Sequence, residues 1–141
     1  VTRQFDIAVL GAGPVGLMAA LQFTRWRRTV VIASDRLPAL DGQRRVDAMP
    51  ASVLAALVEF GIDPAAIGVD RLHRSRLSAW PSSEPLRTDA APTVHVERPA
   101  FDIALLEAAR RAGCAFRSVK LDAAAIGRRD RTAKNLVDAT G

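Results

Sequence analysis

The chain has 141 residues, about one domain's worth, and 49% are hydrophobic, enough for a packed core and too many for a disordered chain. Its net charge of +5 is carried almost wholly by arginines, scattered and not interleaved with aromatics, and there is no tyrosine, so no nucleic-acid partner is expected. The single cysteine, Cys114, excludes an internal disulfide and a multi-cysteine metal site; with no apolar run long enough for a membrane span and no signal-peptide pattern at the start, a cytoplasmic protein is expected.

Phe5 to Leu10 reads as a short buried strand that runs into Gly11-Ala12-Gly13-Pro14-Val15-Gly16. A helix is predicted from about Pro14 to Arg27, with Leu17, Ala20, Leu21 and Thr24 on one face. Thr29 to Ala33 follows as a second buried strand, which makes a βαβ unit with parallel strands and a right-handed crossover. The polar stretch Ser34 to Met49 is predicted to be a loop, and Pro50 to open a helix that ends at Gly61. Residues 71–80 and 93–97 look extended, the second with Val94 and Val96 alternating with His95 and Glu97, and together they form a small antiparallel excursion at about 71–97. Pro99 opens a further helix with Gly113 as its stop, and Cys114 to Phe116 and Leu136-Val137 are two more strands. The expected fold class is α/β: a Rossmann-type parallel sheet within one domain, 1–141, carrying that excursion.

The chemistry sits at the first turn. In Gly-x-Gly-x-x-Gly between a strand and a helix, Gly11 permits the tight turn and Gly13 lets the backbone approach a pyrophosphate. Gly16 lets the helix pack close to the strand. Pro14 and Val15 then open a helix whose unpaired N–H groups and positive dipole end face the phosphates. A dinucleotide also needs an acceptor for ribose hydroxyls at the end of the second strand. Ser34 and Asp35 compete for that place, because neighbours in an extended segment point opposite ways. The carboxylate of Asp35 suits paired hydroxyls better, and Arg36 completes the set. His73 and His95 show no acid/base partner in sequence and are read as structural, as is Cys114. Trp26, among Arg25, Arg27 and Arg28, is read as either a partner-facing surface or packing.

Asp6 to Ala20, with its Gly-Pro-x-Gly-Leu form, resembles the FAD-binding start of the flavoprotein monooxygenase superfamily, which includes aromatic hydroxylases, flavin-dependent halogenases, lycopene cyclases and geranylgeranyl reductases. Val96 to Leu106 resembles that family's Arg-x-x-Phe/Leu-Asp-x-x-Leu helix, which implies that Arg98 lies beside the cofactor. Leu136 to Gly141 resembles its Asp-Ala-Thr-Gly segment, which implies Asp138 and Gly141 at the cofactor. By the same resemblance the stretch Gly42 to Val46 brings Arg44 or Arg45 to it. The resemblance implies FAD as cofactor, NAD(P)H as electron donor, and a monooxygenase that uses reduced flavin and O2 on an organic or peptide-borne aromatic substrate. It leaves open a halogenase, a flavin-dependent reductase or cyclase, and a nucleotide-binding module without catalysis. A branch that modifies a partner protein during quinone-cofactor maturation adds an acidic polypeptide as a further partner. The departures from the family are Ser34 at the acid position and a short segment from Lys120 to Asn135.

Overall fold

The computed structural model of the protein describes residues 5–40, 44–79, 81, 83–120 and 133–140. The chain divides into two compact units, Val1–Asp41 with Asp102–Gly141, and Gly42–Phe101.

In the first unit the elements are β1 (Phe5–Leu10), α1 (Pro14–Arg25), β2 (Val30–Ser34), the greater part of α3 (Arg98–Arg111), β6 (Ala115–Ser118) and β7 (Ala133–Asp138). The strands form one four-stranded sheet in the order β6-β2-β1-β7. Every pairing is parallel, with Ile7 opposite Val30 and Asn135, and Ile32 opposite Phe116. The two N-terminal strands are central and their interiors are nearly continuous apolar runs, as a sheet covered on both faces requires. Val9 and Ile32 are fully buried, and Ile7, Ala8, Leu10, Val30 and Val31 nearly so. The helix α1 lies against β1 and β2 with Gly16, Leu17, Ala20 and Leu21 buried. Leu105, Leu106, Ala108 and Ala109 are the buried face of α3. Gly113, in the left-handed region at φ 86°, turns the chain from α3 into β6.

The second unit holds β3 (Val46–Pro50), α2 (Val53–Glu59), a 3-10 turn (Pro64–Ile67), β4 (His73–Ser78), β5 (Leu86–Glu97) and the first turn of α3. Its sheet is antiparallel in the order β3-β5-β4. Val94 and Val96 are buried and His95 and Glu97 exposed, the alternation the sequence predicts. Opposite them on β3, Met49 faces Val94 and Asp47 faces Val96.

Three expectations differ from the structure. Residues 46–49, expected as the end of the loop, are part of the strand Val46–Pro50, and Pro50 closes that strand rather than opening a helix. Helix α2 starts at Val53 instead. Pro50 is tolerated because β3 is an edge strand, where a missing N–H breaks no essential ladder bond. The strand β5 also begins at Leu86, well before residue 93. Its Pro92 falls where the register with β4 jumps from His73–Thr93 to Ser75–Asp89, an irregularity that frees the proline from the ladder. Among the described residues no helix is long and apolar enough to cross a membrane.

Candidate cofactor cradle

Parallel strands deliver their connections to one edge, and the site lies at that edge in the first unit. The backbone leaves β1 through Gly11, whose φ of 97° belongs to the left-handed region. Its N–H donates to the Ala33 carbonyl of β2 at 2.8 Å, which ties the turn to the sheet. A Cβ there would sit 2.6 Å from the Ala139 carbonyl oxygen. At Gly16 a Cβ would overlap the Gly11 carbonyl oxygen, so close packing of α1 on the turn requires glycine. Gly13 differs: among the described residues nothing lies within 4 Å of the place a Cβ would take.

Gly13 is the N-cap of α1 and Pro14 follows at its start. The Gly13 carbonyl accepts from Leu17 N–H at 2.9 Å, so the helix proper begins there. No side chain caps this end and its first turn holds no acid. Among the described residues, nothing therefore caps the first-turn N–H groups or sets an acid in that turn against their positive end, an arrangement suited to an anion.

A cavity of about 320 Å³ opens at this point, lined by Gly11, Ala12 and Gly13, by Ser34, Asp35 and Arg36, and by Ala139 and Thr140. The Ser34 hydroxyl is buried and turned inward on its own turn: it donates to the Arg36 carbonyl at 2.6 Å and accepts from Arg36 N–H at 3.4 Å. Asp35, the residue the sequence favours for the ribose, is exposed at the cavity wall. On the far side of β1, Ala139 N–H donates to Leu10 carbonyl at 2.9 Å. Asp138 Oδ1 accepts from Thr140 N–H at 3.0 Å and from Thr140 Oγ1 at 2.7 Å. Those two bonds, the hydroxyl's first, hold the carboxyl below the usual carboxylate range.

The structure thus gathers Gly11, Gly13, Ser34, Asp35 and Arg36 around one cavity, with Pro14, Val15 and Gly16 in the turn and helix that shape it. Ala12, Ala139 and Thr140 join the lining without having been singled out. The spacing Asp-x-Thr is the signal for the last: an aspartate that bonds the backbone and hydroxyl two residues on. Gly141 lies outside the described residues, as do Gly42, Gln43 and Trp80. Arg44, Arg45 and Arg98 belong to the second unit. There Arg98 makes an ion pair with Asp47, and its N–H donates to the Arg45 carbonyl at 2.8 Å. The second unit also brings His73 and His95 to 4.2 Å between ring centroids, a proximity set by the β4–β5 register. Both line a smaller cavity of about 180 Å³ with Asp70, Arg71 and Glu97.

No protein-family profile and no curated protein matches the chain. Solved structures do. A myxobacterial FAD-dependent halogenase, the chondrochloren halogenase CndH, is 22% identical at a TM-score of 0.69, over 99% of this chain and 38% of that one. The p-nitrophenol 4-monooxygenase PnpA from Pseudomonas putida is 18% identical at 0.62, over 83% and 32%. The peptidyl tryptophan dihydroxylase QhpG is 24% identical at 0.53, over 84% and 27%. The chain therefore spans between about a quarter and two fifths of the length of these proteins. In its fold, a parallel four-stranded sheet with a separate small antiparallel sheet, it matches the FAD-dependent halogenases and monooxygenases that its motifs resemble.

Proposed function

We propose that this chain is the FAD-holding portion of an FAD-dependent oxidoreductase, a monooxygenase that uses reduced flavin and O2 on an organic or peptide-borne aromatic substrate. The observation that carries the reading is the cradle itself: an uncapped helix N-terminus, free of acids, behind a glycine whose missing Cβ leaves open space at the cavity. The residues fit the diphosphate and ribose of FAD. The N–H groups of Gly13, Val15 and Gly16 bind the pyrophosphate, while Pro14, which has no N–H, opens the helix. The Asp35 carboxylate accepts from the ribose hydroxyls, and Arg36 covers the same end. When bound, FAD supplies the redox chemistry and the reaction with oxygen. The chain's own work is to hold the cofactor in one orientation.

The test separates cradle from fold. Gly13→Ala is expected to leave the melting temperature within about 1 °C, because its Cβ meets nothing, while weakening FAD binding at least about tenfold. Purified full-length protein is expected to keep its flavin absorption bands through desalting, and the variant to lose them. A colourless protein that takes up NAD and refuses FAD would move the assignment to a nucleotide-binding module. The match to CndH over 99% of this chain favours halogenation as the second reading. Halide-dependent product formation, against NAD(P)H-driven O2 uptake with hydroxylated product, distinguishes the two.

A further inference from the structure

Asp138 carries a charge of the wrong sign to hold a pyrophosphate, and it is Ala139 and Thr140, not Asp138, that line the cavity. Its register fixes where it sits: Asp138 pairs with Leu10, the last residue of β1, one residue before the Gly11 turn. Beyond it the chain has left the sheet, and two interactions keep it from swinging away. Ala139 N–H is bonded to the Leu10 carbonyl. Thr140 is bonded twice to one oxygen of Asp138, through its N–H and its hydroxyl. So held, the Ala139 carbonyl comes close enough to Gly11 that no Cβ fits between them, and the Ala139 methyl faces Gly16.

We propose that Asp138 is a positioning residue: through Thr140 it locks the Ala139–Thr140 turn against the Gly11 turn, so that this wall of the nucleotide cavity is set before the ligand arrives. The inference rests on reading the cavity as a nucleotide site, and it assigns Asp138 no contact with the nucleotide. Preorganising a wall saves the ordering cost on binding, so the effect appears in affinity. The lowered proton affinity of the Asp138 carboxyl agrees, since both bonds are made to its charged form. An asparagine offers the same oxygen to Thr140 without the charge, whereas alanine offers nothing.

The experiment titrates FAD, and separately ADP, into the full-length apoprotein and its variants, with melting curves to confirm folding. Asp138→Ala and Thr140→Val are each expected to weaken binding about three- to tenfold, the size of one or two modest hydrogen bonds. Asp138→Asn and Thr140→Ser are expected to restore it to within about twofold. The double variant Asp138→Ala/Thr140→Val is expected to be no weaker than Asp138→Ala alone, because both changes cut one linkage. Additive losses, or an Asp138→Asn as weak as Asp138→Ala, would overturn the proposal. If the wild type binds ADP with this pattern and refuses FAD, the flavin reading fails and the lock stands. If it binds neither, amide hydrogen exchange decides: Asp138→Ala must speed exchange at Ala139 and Thr140 where Asp138→Asn does not, and equal rates would refute the lock.

Discussion

Asp6, at the opposite end of β1 from the cradle, ties three strands together. Its carboxylate accepts from Thr29 N–H and Thr29 hydroxyl, both at 3.0 Å, and from Lys134 Nζ of β7 at 3.3 Å. The Thr29 backbone bond foremost, then its hydroxyl and Lys134, hold the carboxyl below the ordinary aspartate value. A depressed carboxyl stabilises the fold above its unfolded value, near 3.8, and that contribution is lost as pH falls through the lowered one. Asp6→Ala is therefore expected to lower the melting temperature at neutral pH and to narrow its gap to wild type in strong acid; a gap that stays constant down to full protonation would show that the charge is not what matters. Cys114 behaves in the opposite sense. Burial pushes its thiol up to about 11 from 9.0. It is then expected to resist alkylation at pH 8 in the native protein and to react at once in denaturant. Fast native labelling would place the thiol at the surface.

At the scale of elements, α1 ends in an unusual way. Arg27 occupies the left-handed region at φ 59°, where a side chain is disfavoured, while its N–H donates to Thr24 carbonyl at 2.9 Å and Arg28 N–H to Phe23 carbonyl at 3.0 Å. Glycine is the residue this backbone favours, so Arg27→Gly is expected to stabilise the protein by about 0.5–1 kcal/mol, read from urea midpoints at unchanged slope. A loss would mean that the Arg27 side chain contributes more than its backbone costs. The βαβ unit was legible in the sequence because its signals are local: apolar runs, glycine spacing, a proline at the helix start. The strand β3 was not, because its half-buried positions are Asp47 and Met49, which carry no strand pattern of their own. It is a strand by virtue of backbone pairing with β5, far along the chain. The meeting of His73 and His95 was hidden for the same reason, since it depends on a register that the sequence does not print. At the cradle, the glycines could be assigned one by one from backbone geometry. The choice of Asp35 over Ser34 had to rest on carboxylate chemistry instead, because alternation says that they differ and not which faces in.

For the molecule as a whole, the strand order has a consequence for assembly. The central strands β1 and β2 come first in the chain, yet both of their outer partners, β6 and β7, come last. The Gly11 turn is therefore completed only when Ala139 closes against it, about as far away in sequence as this chain allows. Contacts of such long separation form late and slowly. Until β7 pairs, β1 presents an apolar edge of unpaired N–H and C=O groups, the kind that recruits other chains. Removing residues from 121 onward is thus expected to do more than delete β7. It should leave β1 as an edge, take Ala139 and Thr140 from the cavity wall and free the Asp6 carboxylate from Lys134. Size-exclusion chromatography is expected to show aggregates for the truncated chain. An added peptide with the sequence of residues 131–141 is expected to reduce them by pairing along β1. A monodisperse truncated chain with an intact melting transition would mean that β6, β2 and β1 suffice to hold the sheet, and that β7 serves the cradle alone.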